Sequence, residues 1–168
     1  NRLRDEVLPP VEEAAGVAVA EGDVFAVDDM EVRVLETPGH TPEHVVYVVA
    51  DVARSKEPAA VFTGDVLFVG DVGRPDLFPG RAQVLAGELY DSLHGKILKL
   101  PDFCEVYPAH GAGSLCGREI SAKRSTTIGY ERRYNYALAI TDRDDFIRRL
   151  TTGMPAAPDH FSRCSEIN

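Results

Sequence analysis

The sequence predicts an α/β fold, and three observations carry that prediction. β-branched runs separated by polar or Gly-rich turns fill residues 23–64, and helical apolar spacing begins only at about residue 82. Ligand-type side chains recur directly after strand runs, at His40, Asp65 and His110. Three such groups at strand ends would converge on one edge of a sheet, where α/β folds place their chemistry.

The elements follow in chain order. Residues 1–15 suit a short helix, broken by Pro9 and Pro10. DVFAV and EVRVLE read as a hairpin turning at Asp28-Asp29, with Val32 and Val34 alternating with polar neighbours. HVVYVVAD is a strand whose near-continuous apolar run predicts burial on both faces. The polar loop ARSKEP leads into a short strand, AAVFTG. Residues 66–81, VLFVGDVGRPDLFPGR, are rich in Gly and Pro and read as a loop of the kind that carries function.

AQVLAGELYDSLHGKIL spaces Val84, Leu85, Leu89, Leu93 and Ile97 as a helical stripe. A short strand lies between Asp102 and Tyr107 and runs into PAHGAGSLCG. TTIGYERRYNYAL and TDRDDFIRRL read as helices, the second opened by a capping-box-like pair, Thr141 and Asp144. From Gly153 onward, GMPAAPDHFSRCSEIN reads as an irregular tail.

At 168 residues the chain suits a single domain, with neither a repeat nor a low-complexity linker. Its 44% hydrophobic and 27% charged residues exclude disorder, and no apolar run has the length of a membrane span. A net charge of −9 and the absence of a basic run argue against nucleic acid as a partner. NRLRDEVLPP lacks the apolar stretch of a signal peptide, and the missing initial Met fits a processed or excerpted piece. Cys104, Cys116 and Cys164 are odd in number and form no C-x-x-C pair, which predicts a reduced, cytoplasmic chain.

Among the polar residues, His40 sits in P-G-H-T-P, a stiff turn that needs Gly and Pro but not histidine. Alone it reads as a turn histidine, and Asp65 in FTGDVLF alone reads as a loop cap. His110 in VYPAHGAG repeats the pattern, and three repeats favour a metal site. His44 starts a strand and faces either the site or the core. His94 falls in a helix at a surface or packing position, and His160 in the tail carries no motif. Cys116, six residues past His110 in a Gly-rich loop, is placed to reach the mouth of such a site and take up a sulfane sulfur. Reactivity there requires a lowered thiol pKa.

TPGHTPEH, FTGDVLFVGDVGRPD and YPAHGAGS together resemble the metallo-β-lactamase superfamily. Within it they are similar to persulfide dioxygenases and to the branch fused to rhodanese domains, as are TIGYERRYN and the closing RCSEIN. The resemblance implies a partial αββα sandwich over residues 1–168, namely its C-terminal half plus C-terminal helices, with a rhodanese module expected beyond it. The H-x-H-x-D-H motif that precedes these segments in the family is absent from the chain.

By that resemblance His40, Asp65 and His110 are the metal-site residues, with Asp65 and His110 also catalytic. A two-His, one-carboxylate face with open positions suits Fe(II), and His110 then lies beside the metal without binding it. In two-zinc relatives His110 completes the second Zn(II) site and Asp65 bridges the ions. Arg74 matches the arginine that holds the carboxylate end of glutathione persulfide, a task for a planar bidentate donor. Cys116 and Tyr130 complete the candidate substrate contacts, with packing as the plainer role for Tyr130.

The expected parent is an iron-dependent dioxygenase that converts a low-molecular-weight persulfide of glutathione type to sulfite and thiol. The alternative enzyme is a zinc thioester hydrolase like glyoxalase II. A third reading, from another class, is a non-catalytic fragment or interaction module. A half-sandwich would expose an apolar face, to be covered by a partner or by a second copy of the chain as a homo-oligomer.

Overall fold

A computed structural model describes residues 18–153. The helix expected over residues 1–15, the tail beyond Gly153, His160, Cys164 and the closing RCSEIN lie outside or largely outside the described residues. Six strands form one sheet in the order β1-β2-β3-β4-β5-β6: β1 Val24–Val27, β2 Met30–Glu36, β3 Val45–Asp51, β4 Ala60–Gly64, β5 Glu105–Pro108 and β6 Thr126–Thr127. Three α-helices accompany them: α1 Ala82–Gly95, α2 Ile128–Tyr134 and α3 Arg143–Thr151. A 3-10 turn, Ile97–Lys99, follows α1.

β1 and β2 form the expected hairpin, and Asp28 at its tip adopts φ 51°, a conformation that Asp tolerates. β2, β3 and β4 are mutually antiparallel neighbours, while β4 and β5 are parallel. A parallel pair requires a crossover, and α1 supplies it. β2, β4 and β5 therefore run in one direction and end on the same edge of the sheet. That topology places the segments bearing His40, Asp65 and His110 together.

One face of the sheet carries Val46, Val48, Val61 and Val106, which pack with Leu89, Leu93 and Ile97 from the α1 side. Ile128 of α2 and Phe146 and Leu150 of α3 close the same core. Leu89 is fully buried at its centre. Leu89→Ala is expected to lower unfolding free energy by about 3 kcal/mol, measured by denaturant unfolding, because truncation removes buried apolar atoms and leaves a cavity in the core.

The opposite face presents Phe25, Val27, Met30, Tyr47, Phe62 and Tyr107, each between 36% and 61% exposed. Phe62 and Tyr107 stack there at 5.4 Å. The exposed apolar face expected of a half-sandwich is therefore present. It also corrects the reading of β3: Val46, Val48, Val49 and Ala50 are buried, but Tyr47 points outward.

Three further boundaries differ from expectation. Val84 belongs to the apolar spacing but stands 57% exposed, since the stripe turns past it to Leu85. The cap of α3 lies one residue later than Thr141: the Asp142 carboxylate accepts the backbone N–H of Asp145. Thr126 and Thr127 pair with β5 instead of entering a helix, and the Thr127 hydroxyl caps α2 by accepting from the Tyr130 backbone N–H. His94 is a packing residue, stacked on Tyr90 at 4.1 Å and edge-on to Phe146.

Candidate metal centre

The turn after β2 is held against α1. Gly39 has φ +147°, and a Cβ there would collide with Leu89. The Ser92 hydroxyl of α1 donates to the Pro38 carbonyl at 2.8 Å. Glycine therefore lets the turn lie on the helix surface, and the turn delivers His40 inward, where only 5% of the residue is exposed. His40 Nδ1–H donates to the Arg74 carbonyl at 3.0 Å. That bond fixes the tautomer and leaves Nε2 with its lone pair, 3.9 Å from Asp65 Oδ2. Burial pulls the His40 pKa down, against the opposing pull of Asp65, so the neutral, ligand-competent form is favoured.

Asp65 directly follows β4 and is approached from both sides. His110, just past β5, donates Nδ1–H to Asp65 Oδ1, while Oδ2 faces His40. Cys116 completes a group with His40 and Asp65 whose ligand atoms all lie within 4.8 Å of one another. His, carboxylate and thiol form a donor set able to hold a transition metal ion. Burial raises the Cys116 thiol pKa above its ordinary value, so in the metal-free protein the sulfur is predominantly protonated.

His44 faces the site without joining it. Its Nε2 accepts the Asp65 backbone N–H at 3.1 Å, which requires Nδ1 to carry the proton and donate to the Thr37 hydroxyl at 2.9 Å. A Cβ at Gly64 would stand 2.6 Å from His44 Nε2, so glycine makes room for the ring as well as for φ +52°. His44 thus orients the segment that carries the Asp65 carboxylate. Burial, then the neighbouring His40, lowers its pKa from 6.5 to about 4.

Because the unfolded chain takes up this proton first, stability is fully present above the unfolded pKa and is lost as pH falls towards the folded one. The metal-free protein should lose up to about 3 kcal/mol from this group between about pH 6.5 and 4, with His40 adding in the same direction. His44→Gln retains an acceptor for Asp65, and thermal denaturation across that range should show a shallower pH dependence.

Arg74 is brought to the site through its backbone more than its side chain. The guanidinium, 1% exposed, forms a fork on Asp76 at 2.7 and 2.9 Å and donates to the Leu115 carbonyl at 3.1 Å. Its carbonyl holds His40 and its N–H holds the Cys116 carbonyl at 3.0 Å. In this conformation the guanidinium is engaged by Asp76 and by the loop around Cys116.

Tyr130 is not brought to the centre. It sits on α2, beside Thr127, which pairs with Glu105 at the start of β5, the end opposite His110. It packs against Tyr134 at 4.8 Å and under Lys123. Sequence reasoning also missed Asp71, a buried carboxylate whose partners include the distant backbone N–H groups of Arg118 and Glu119.

No family model matches the chain. Among curated proteins it is 33% identical over 111 residues to the mitochondrial persulfide dioxygenase ETHE1 of Mus musculus, covering 66% of this chain and 40% of that protein. It is 35% identical over 88 residues to the hydroxyacylglutathione hydrolase of Dictyostelium discoideum, covering 52% of this chain and 31% of that one.

Among solved structures it matches a metallo-β-lactamase from Staphylococcus aureus subsp. aureus COL at TM-score 0.81 and 37% identity, covering 89% of this chain and 43% of that one. ETHE1 from Myxococcus xanthus follows at TM-score 0.67 and 32% identity, covering 91% and 62%. The chain spans less than half the length of these curated relatives. Sheet topology, strand-end ligands and these likenesses agree: the chain belongs to the metallo-β-lactamase superfamily.

Proposed function

We propose that this chain is the C-terminal half of a mononuclear iron dioxygenase that acts on a low-molecular-weight persulfide. His40 and Asp65 would hold the metal, with a further histidine supplied from outside these residues. The donor set fits: a neutral buried imidazole with its second nitrogen directed at a carboxylate, and the Cys116 thiol within ligand distance of both. A bound Fe(II) would supply redox chemistry and open coordination positions. O₂ would take the electrons of the outer persulfide sulfur and water would provide the third oxygen, giving sulfite and the free thiol.

One observation carries the single-metal reading. His110 donates to Asp65 rather than joining the group formed by His40, Asp65 and Cys116. It is placed to steady the carboxylate and to exchange a proton beside the metal, not to complete a second ion. The persulfide dioxygenase likeness supports the substrate class, and the GRPD segment belongs to the same resemblance. Cys116, beside His40 and Asp65 with its thiol pKa raised by burial, would meet the sulfane sulfur of the substrate as a protonated contact and not as a thiolate nucleophile.

The test is O₂ uptake by the full-length protein with glutathione persulfide, run beside hydrolysis of a glutathione thioester. Persulfide-dependent O₂ consumption with sulfite formation supports the dioxygenase. Thioester hydrolysis without O₂ consumption would establish the zinc hydrolase alternative, and neither activity would support the non-catalytic module.

A further inference from the structure

The loop 115–119 holds Cys116 against the metal centre, and the anchors on both its sides come from the segment that follows Asp65. On the near side, Arg74 donates from its backbone N–H to the Cys116 carbonyl and from its guanidinium to the Leu115 carbonyl. On the far side stands Asp71, fully buried. Its Oδ2 accepts the consecutive backbone N–H groups of Arg118 and Glu119 at 2.5 and 2.8 Å. Its Oδ1 accepts the Val72 N–H at 2.8 Å and the Tyr136 hydroxyl at 2.9 Å.

Gly117 makes this approach possible, since a Cβ there would lie 2.6 Å from Asp71 Oδ2. Asn135 anchors the other side of the clamp, donating from Nδ2 to the Asp71 carbonyl and to Glu131, which in turn accepts the Gly70 N–H. A buried carboxylate that receives several N–H and O–H donors is held in one position.

We propose that Asp71 is a positioning residue that fixes the 116–119 loop and thereby sets Cys116 beside His40 and Asp65. The Asp71 carboxylate hydrogen-bonds to Val72, Arg118, Glu119 and Tyr136 and to none of the three, so it acts through the loop. The separation of Cys116 from Asp65 is then determined within one stretch of chain, because Asp65, Asp71 and Arg74 share the same loop. The proposal rests on the metal-site reading given above.

The experiment compares wild type with Asp71→Asn in the full-length, metal-free protein. Alkylation by iodoacetamide is followed peptide by peptide at Cys116 and Cys104. Asn presents N–H₂ towards donors that need an acceptor, so the loop should open and Cys116 should react about tenfold faster. Cys104 is buried in the core with its pKa raised to about 11, and it reports general loosening. Its rate should not change.

An unchanged rate at Cys116 overturns the proposal, and so does a parallel rise at both cysteines, which marks a purely structural role. Should Asp71→Asn fail to fold, Tyr136→Phe removes a single donor and should accelerate Cys116 about threefold, with Cys104 again unchanged. The same two contrary outcomes apply to it. Cobalt(II) titration of wild type tests the metal-site reading separately. Failure to bind cobalt sinks that reading, while the alkylation rates still decide the role of Asp71.

Discussion

Asp65→Ala in the full-length protein is expected to weaken metal binding by more than about 100-fold, since loss of a mere supporting group around a metal already costs 10–100-fold. Asp65 is the only carboxylate in the group formed with His40 and Cys116, and its two oxygens face different histidines. Its removal takes away the negative charge that offsets a divalent ion and leaves His110 without its acceptor. Isothermal titration with cobalt(II) measures the loss. The fold should remain, because the side chain is partly exposed and the strand-end backbone is held separately by His44 through the Asp65 N–H. Retained stoichiometric metal in a folded Asp65→Ala protein would remove this residue from the site.

Gly73→Ala is expected to be as damaging, by a different physical route. A Cβ at this position would overlap the Asp65 carbonyl oxygen and stand 3.1 Å from His40 Nδ1. Neither neighbour is the mobile end of a long side chain: one is backbone and the other is a ring held by the Arg74 carbonyl. The clash must therefore move both candidate metal ligands. We expect a loss of about 3 kcal/mol in thermal unfolding of the metal-free protein, at the upper end for overpacking, together with loss of cobalt binding. Gly95→Ala provides the contrast. Nothing lies within 4 Å of a Cβ there, and stability should hold or rise by less than about 1 kcal/mol.

Much of the sheet was legible because its strands carry strong apolar signals bounded by turn residues. β1 to β4 fall where DVFAV, EVRVLE, HVVYVVAD and AAVFTG placed them. The site was legible for a related reason. His40, Asp65 and His110 are each tied to a strand end, so strand direction alone brings them together.

What escaped the reading depends on contacts distant in sequence. Thr126 and Thr127 form a two-residue strand that only pairing with β5 defines, and that pairing carries Tyr130 to the far end of the sheet. Val84 shares the helical spacing of Leu85 but not its burial, because the width of a helix's covered face is set by its neighbours. Nothing local marks Asp71 in its Gly-rich loop, because its partner amide at Arg118 lies 47 residues away. For His44 the sequence leaves site and core both open, and its role as acceptor for the Asp65 N–H, which fixes its tautomer and makes Nδ1 donate to Thr37, depends on contacts made by the folded chain.

The most direct test of the account is metal analysis of the full-length protein, purified without added metal and read as ions per chain alongside the same measurement on His110→Ala. The proposed dioxygenase, with His40 and Asp65 as ligands and His110 bonded to the carboxylate, predicts one iron per chain in both proteins. Two zinc ions per chain, falling to one in His110→Ala, would contradict it.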